Sequence, residues 1–165
     1  MKLYLVRHAA AVERGGDVAE EQRFLTPEGR VFFRKTARTM LNQGLAPGLI
    51  LTSPLIRAVQ TAEILAQTLD YIGPLVVTDA LAPGFDLPGM KGLLSAYRNV
   101  AELVIVGHEP DLSSVAAALL VSPAGISLKK GVAIKLKIDP NTPGAPAEFK
   151  WLAAGKNLAN ALGES

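Results

Sequence analysis

Four short apolar runs, which alternate with segments of helical spacing, constrain the fold of this chain more than any other feature. The runs are 3–6, 49–52, 75–78 and 103–106, and their length and continuity are typical of strands buried on both faces. Strands that alternate with helices form a mostly parallel sheet with helices on both faces. We therefore expect an α/β fold, a three-layer sandwich, in a single domain that covers residues 1–165.

Capping residues and apolar spacing place the helices between these strands. Thr26-Pro27-Glu28 has the N-cap residue, the first-turn proline and the first-turn carboxylate of a helix start, and Gly44 is a helix stop. Ser53-Pro54 repeats the cap-then-proline pattern and predicts a second helix from there to Leu69. The segment 79–92, with two prolines and three glycines, predicts an irregular loop. Two further helices are expected over about 93–100 and 112–121.

The C-terminal part of the chain predicts an antiparallel hairpin. Residues 132–138 alternate between apolar and mostly basic side chains, which is typical of a half-exposed strand. A turn rich in proline and glycine follows over 139–146, and 148–152 reads as a short returning strand. We expect this hairpin at one edge of the sheet.

The residues that follow the predicted strands include groups able to bind an anion. In an open α/β sheet, ligands bind beyond the carboxyl ends of the parallel strands. The first strand runs into Arg7-His8, the second into a helix with Arg57 in its first turn, and the fourth into Gly107-His108. Each of these residues alone is more typical of a structural or surface role. Their convergence on one sheet edge predicts an anion site.

This set of side chains suits a phosphoryl group. Guanidinium groups match phosphate oxygens bidentately, and the helix start near Pro54 adds N–H donors and a positive dipole end. A neutral imidazole can attack phosphorus and form a phosphohistidine that water then opens. Neighbouring arginines lower the pKa of an imidazole, and a second imidazole can donate a hydrogen bond as charge develops. Two arginines neutralise the phosphoryl group, so we expect no metal or other cofactor.

Composition argues against several classes of function. The absence of cysteine excludes disulfides, thiolate nucleophiles and cysteine-ligated zinc. The chain has 17 basic and 15 acidic residues and no basic stripe, which argues against a nucleic-acid partner. No apolar run approaches the roughly 18 residues of a membrane span, and the N-terminal run meets Arg7 too early for a signal peptide. We expect a cytoplasmic monomer with no nucleic-acid or membrane partner.

Four sequence blocks resemble motifs of the histidine phosphatase superfamily, which has the phosphoglycerate-mutase-like fold. They are Leu5–Ala9 (similar to the R-H-G signature), Leu25–Gly29 (L-T-x-x-G), Ser53–Ala62 (S-P-x-x-R-A-x-Q-T-A) and Val106–His108 (the G-H block). The resemblance implies that His8 is the phosphorylated nucleophile and that Arg7 and Arg57 clamp the phosphate. It makes His108 the second imidazole of the same pocket, where it also binds phosphate. Ala9 departs from the pattern, because the superfamily usually has glycine there, and predicts a tighter pocket.

The short chain without large insertions is most similar to the SixA group of this superfamily. Members of that group remove phosphate from histidine on phosphotransfer domains of two-component signalling. Asp17 and Arg23, which precede the second block, also resemble that group's pattern. The resemblance implies that the partner is a phosphorylated histidine phosphotransfer protein and that the reaction is the hydrolysis of its phosphohistidine.

No carboxyl group clearly matches the general acid of those superfamily members that act on phosphate esters. The corresponding stretch, 81–88, contains only Asp86, with Asp79 nearby, and a loop could bring in Glu109 or Asp111. An alkoxide leaving group needs a proton in the transition state, whereas a phosphorylated imidazole protonated on its other nitrogen leaves as neutral imidazole. The sequence therefore favours phosphohistidine as substrate. Two alternatives stay open: a phosphatase of small phosphate esters with the same mechanism, and a non-catalytic phosphate-binding module.

Overall fold

A computed structural model describes residues 1–122, 124–142 and 144–163, and a mixed β-sheet of seven strands runs through this part of the chain. The strands are β1 (Lys2–Arg7), β2 (Leu49–Thr52), β3 (Leu75–Val77), β4 (Glu102–Gly107), β5 (Val132–Lys137), β6 (Glu148–Ala154) and β7 (Asn157–Ala159). Their order across the sheet is β3-β2-β4-β1-β5-β6-β7. The first four are parallel, and the last three are antiparallel to their neighbours. The α/β prediction is confirmed, and β7 adds a third strand to the predicted hairpin.

Helices cover both faces of the sheet. They are α1 (Pro27–Asn42), α2 (Ile56–Thr68), α3 (Leu87–Ala96) and α4 (Asp111–Leu120). Side chains alternate along β1, so that Tyr4 and Val6 pack in the core beneath α1 and α2, while Leu3 and Leu5 pack in the core beneath α3 and α4. This arrangement is the predicted three-layer sandwich. Within the residues that the structure describes, none of these helices is long and apolar enough to cross a lipid bilayer.

Two predicted helix starts are wrong, and both errors concern proline. α2 begins at Ile56, not at Ser53-Pro54, because the Ser53 hydroxyl bonds to His108 and does not cap the helix. α3 spans Leu87–Ala96, not 93–100, so the predicted loop over 79–92 contains a helix start. The Asp86 side chain accepts a hydrogen bond from Gly89 N at 2.9 Å and caps this helix. The proline and glycine that follow are tolerated in a first helical turn, so the loop interpretation failed there.

The start of α1 contacts the segment that follows β1 at very short range. Thr26 N donates to Ala10 O at 3.0 Å, and Thr26 Oγ1 caps the helix by accepting from Gly29 N at 3.0 Å. A Cβ atom at Gly29 would lie 2.3 Å from Ala10 O, far inside van der Waals contact. Glycine at this position therefore lets α1 pack directly against the backbone two residues beyond His8.

We expect Gly29→Ala to lower the free energy of unfolding by about 1–3 kcal/mol, because the added methyl group must displace main-chain atoms. Gly92→Ala is the matched control, since Gly92 also lies inside a helix but has open space around it. That control should be neutral or stabilising by about 0.5–1 kcal/mol. Urea denaturation of both variants measures the difference, and equal effects would contradict the close approach at Gly29.

Candidate active site

β1 and β4 lie side by side in the sheet, and each carries a histidine directly beyond its carboxyl end. Arg7 pairs with Gly107 in parallel register, and His8 N donates to Gly107 O at 3.1 Å. This register places the residues that follow, His8 and His108, next to each other, and their ring centroids lie 5.2 Å apart. Both histidines are buried, with 6% and 5% of their surface exposed.

A cavity of about 740 Å³ opens at this edge, and all four predicted site residues line it. Arg7 and His8 reach it from the end of β1, His108 from the end of β4, and Arg57 from the first turn of α2. Arg57 Nε donates to His8 Nε2 at 3.3 Å. Arg7 Nη1 donates to the main-chain oxygen of Leu128 at 2.9 Å. The fold thus brings Arg7 and His8 together with Arg57 and His108, which lie far from them along the chain.

The hydrogen bonds of His8 determine which ring nitrogen carries the proton. His8 Nδ1 lies 2.7 Å from Ala9 O, and a carbonyl oxygen can only accept a hydrogen bond. Nδ1 therefore holds the proton, which leaves a lone pair on Nε2, the nitrogen that faces Arg57. Nε2 is the atom able to attack an electrophile in the cavity. Ala9 itself is fully buried in the core beneath α1 and α2.

Both imidazoles are neutral at pH 7. Burial is the main cause that lowers the pKa of His8 to about 3; the hydrogen bond to Ala9 O raises this pKa, and the charges of His108, Arg57 and Arg7 lower it further. Burial, followed by the charges of Arg57 and Arg7, lowers the pKa of His108 to about 4. The effect of the arginines was predicted from the sequence, but the larger effect of burial depends on the fold.

His108 is oriented by Ser53. Its Nε2 lies 2.7 Å from Ser53 Oγ, which also accepts from Leu55 N at 3.3 Å. This contact orients the imidazole, because a serine hydroxyl can either donate to a ring nitrogen or accept from it. Within the described chain, His108 Nδ1 and Arg7 Nε are buried without a hydrogen-bond partner. Buried polar atoms are normally paired, and Arg7 Nε carries a proton that has no acceptor among the described residues, so the site favours an anionic ligand such as a phosphoryl group.

Glu20 is a residue of the cavity that the sequence analysis missed. It begins a short 3-10 turn, Glu20–Gln22, between β1 and α1. Its Oε1 lies 3.0 Å from Arg23 and 3.2 Å from both Arg14 and Arg57, and its carbonyl oxygen accepts from Arg57 Nη1 at 2.8 Å. Burial would raise the pKa of Glu20, but the hydrogen bond from Arg23 and the charges of the three arginines lower it. No periodic pattern in the polar segment 13–23 indicated this position.

Of the four residues suggested as general acids from the sequence, only Glu109 lines the cavity. Asp86 caps α3 and Asp79 lies in the 3-10 turn Asp79–Leu81, and both are outside the cavity lining. Asp111 accepts from Gly84 N at 2.8 Å. Glu109 lines the cavity, but its carboxylate accepts from the main-chain N and the hydroxyl of Ser113.

Of the two residues matched to the SixA pattern, one reaches the cavity. Arg23 is buried and lines it, with its Nε donating to Val12 O at 2.8 Å. Asp17 is exposed and lies outside the lining.

In residues 1–122, 124–142 and 144–163, no group of three histidine or acidic side chains is placed to hold a metal ion.

Comparisons with known proteins concern the family and the fold of this chain. The model of the histidine phosphatase superfamily (branch 1) matches residues 3–83. An uncharacterized protein of Picosynechococcus sp. is 38% identical over 142 residues, which cover 83% of this chain and 85% of the relative.

Solved structures show the same fold at lower identity. The protein histidine phosphatase SixA complexed with tungstate has a TM-score of 0.83 at 22% identity, over 94% of this chain and 97% of that one. The putative phosphohistidine phosphatase SixA from Agrobacterium tumefaciens has a TM-score of 0.79 at 20% identity, over 93% and 97%. The alpha-ribazole phosphatase from Shigella flexneri has a TM-score of 0.72 at 18% identity, over 100% of both chains.

We expect neither histidine to titrate near pH 6.5. With pKa values of about 3 for His8 and about 4 for His108, the ring-proton NMR signals should stay at neutral-imidazole positions from pH 8 to pH 5. His108→Asn removes one signal and so assigns both. In the unfolded chain the histidines bind protons below their ordinary pKa of about 6.5, whereas in the folded protein they stay neutral. The free energy of unfolding should therefore fall as the pH decreases from about 6.5, by up to about 1.4 kcal/mol per pH unit for each histidine. A His8 midpoint near 6.5 would contradict the buried neutral imidazole.

We expect Glu20→Gln to strengthen phosphate binding by about two- to fivefold, the range typical of one partly exposed ion pair. The amide keeps the shape of the side chain but no longer neutralises the Arg57 guanidinium. Glu21→Gln is the matched control, because Glu21 also lines the cavity but forms no ion pair among the described residues. Isothermal titration with orthophosphate measures both variants. An equal change in the two would show that Glu20 does not compete with the anion.

Proposed function

The chain belongs to the histidine phosphatase superfamily, and we propose that it is a metal-independent phosphohistidine phosphatase that acts on a signalling phosphotransfer protein. Membership supports phosphatase activity as such. The observation that carries the proposal is the unprotonated Nε2 of His8, which lies 3.3 Å from Arg57 Nε. The ring centroid of His108 lies 5.2 Å from that of His8. The monomeric state and the cytoplasmic location expected from the sequence stay predictions.

His8 would act in two displacement steps. In the first, its Nε2 lone pair forms a bond to phosphorus while the bond from phosphorus to the substrate imidazole breaks. The leaving imidazole keeps the proton on its other nitrogen and departs neutral. In the second, water attacks phosphorus, the bond to His8 breaks, and inorganic phosphate leaves with the protons of water. His8 regains its Nε2 lone pair, and Nδ1 keeps its proton and its hydrogen bond to Ala9 O throughout.

The arginines would stabilise the charge on the transferred group. One N–H of each guanidinium is bound to a main-chain oxygen, Arg7 Nη1 to Leu128 and Arg57 Nη1 to Glu20. These bonds restrict rotation of the guanidinium planes, so that the other donors are already oriented when phosphoryl oxygens arrive. The neutral imidazole of His108 lines the same cavity.

The acidic groups of the cavity favour a P–N bond over a P–O ester. The Glu20 carboxylate is ionised, because three arginines lower its pKa, and the Glu109 carboxylate is engaged by Ser113. A sugar or alkyl ester would need one of these two carboxyl groups, or one of the exposed Glu13 and Glu21 that also line the cavity, to deliver a proton, a contribution typically worth about 10²–10⁴-fold in rate. A protonated phosphohistidine needs none.

A phosphatase of small esters is the second candidate, and one observation favours it. Glu109 lines the cavity, and rotation away from Ser113 would bring its carboxyl group toward a leaving oxygen. If Glu109 is a general acid, Glu109→Gln should slow the hydrolysis of sugar phosphates and leave para-nitrophenyl phosphate, which has a good leaving group, less affected.

We expect kcat/KM for a phosphorylated phosphotransfer domain to exceed that for sugar phosphates by at least about 100-fold, the lower bound set by the missing acid. A panel of phosphorylated phosphotransfer domains, para-nitrophenyl phosphate and sugar phosphates, assayed by phosphate release, measures the ratio. Faster hydrolysis of the sugar phosphates would overturn the phosphohistidine assignment in favour of the second candidate.

We expect His8→Ala to abolish turnover of every substrate while orthophosphate still binds, because Arg7, Arg57 and His108 remain. Acid-quenched labelling should show phosphate on the wild-type protein and none on the variant. Hydrolysis that continues unchanged would remove His8 as the nucleophile. A wild-type protein that binds phosphate but hydrolyses no member of the panel would identify a binding module.

A further inference from the structure

A second concave surface lies outside the active site, along the exposed side of α1. We call it the basic groove; its volume is about 480 Å³, and its lining residues are Val31, Arg34, Lys35, Arg38, Thr39, Asn42 and Lys156. Four of the seven are cations and none is acidic. In the part of the chain that the structure describes, none of these four cations forms an ion pair. The groove therefore carries a concentrated positive charge that no ion pair among the described residues neutralises.

Hydrogen bonds hold the two walls of the basic groove together. Lys156 lies in the turn between β6 and β7, next to Gly155. Thr39 Oγ1 donates to Gly155 O at 2.6 Å, and Gly155 N donates to Thr36 Oγ1 at 2.9 Å. Thr36 Oγ1 in turn donates to Gly131 O at 2.8 Å. Because the turn is bound to α1 in this way, the backbone at Lys156 is held beside the helix, and the groove exists before any ligand binds.

Phe32 links the basic groove to the active site. A Cβ atom at Gly131 or at Gly155 would lie 3.0 Å from its ring, so the ring packs on both glycines. Gly131 N donates to His8 O at 3.1 Å, and the preceding residue, Lys130, lines the active-site cavity. A protein whose phosphorylated residue reached His8, and which extended across Phe32, would contact the groove.

We propose that the basic groove binds a carboxylate-rich face of the phosphorylated protein substrate, an inference that rests on the proposed function. Cations without internal partners attract acidic residues and accelerate the association of a complementary surface. Val31 and Phe32 are 51% and 38% exposed, and they supply apolar contact between the charges. Nucleic acid fits less well, because the chain has a net charge of only +2 and nucleic-acid sites combine a larger basic excess with an extended stripe.

Charge reversal tests the proposal with a matched control. The groove variant is Lys35→Glu/Arg38→Glu, and the control is Lys91→Glu/Arg98→Glu, at exposed positions on and just after α3, on the opposite face of the sheet. Both change the formal net charge from +2 to −2. We expect the groove variant to lower kcat/KM for a phosphorylated phosphotransfer domain at least tenfold at low salt, through KM, and less at high salt. The control should change it less than twofold.

A small phosphoramidate substrate separates docking from damage to the active site. It should be hydrolysed equally by the wild type and by both variants, since it is too small to reach the basic groove. A neutral variant, Lys35→Gln/Arg38→Gln, should give an intermediate loss with the protein substrate. Equal losses in the groove and control variants, or an equal loss with the phosphoramidate, would overturn the proposal.

The same assays distinguish failure of docking from failure of the proposed function. If the wild type hydrolyses the phosphoprotein and charge reversal in the groove leaves this rate unchanged, the docking surface alone is overturned. A wild type that hydrolyses no phosphohistidine protein overturns the proposed function and the docking surface with it. Binding of duplex or single-stranded DNA that is lost only in the groove variant would assign the groove to nucleic acid and overturn a protein partner.

Discussion

The parallel register of β1 against β4 is the constraint on which the rest of the site depends. Six residue pairs, from Lys2 with Glu102 to Arg7 with Gly107, align the two strands. Both strands are buried on both faces, and a shift of one residue would exchange their two sets of core side chains. The packing of the two cores therefore sets the strand register, and the strand register in turn places His8 and His108 side by side at the sheet edge.

The concentration of positive charge at this edge is tolerated because the imidazoles stay neutral and the guanidiniums are bound by oxygen. Burial lowers the pKa of both histidines, so that Arg7 and Arg57 are the charged groups beside them. Each guanidinium contacts a main-chain carbonyl, and Arg57 also pairs with the Glu20 carboxylate. The conditions that keep the site folded are thus the ones that nucleophilic catalysis needs: an unprotonated ring nitrogen and donors that are already oriented.

Features with a local physical cause could be predicted from the sequence, and features that depend on distant contacts could not. The buried strands β1, β2 and β4 are continuous apolar runs and lie within one residue of their predicted bounds. The rule that ligands bind at the carboxyl ends of parallel strands then brought the four site residues to one edge. The start of α3 was missed because its cap, Asp86, is followed by proline and glycine. Glu20 was missed because the polar segment 13–23 has no periodic pattern and because its link to the histidines, Arg57, lies in another element of the fold.

Contacts from the C-terminal third of the chain complete a site whose four functional side chains all lie before residue 109. Leu128 O holds Arg7 Nη1, and Gly131 N binds His8 O immediately before β5 pairs with β1. During synthesis, a ribosome-bound chain that ended at α4 would already contain both histidines and both arginines. Such a nascent chain would lack the acceptor that restrains one guanidinium and the strand that covers the side of β1. Competence for phosphoryl transfer would thus arise only once β5 has emerged and docked, late in biosynthesis.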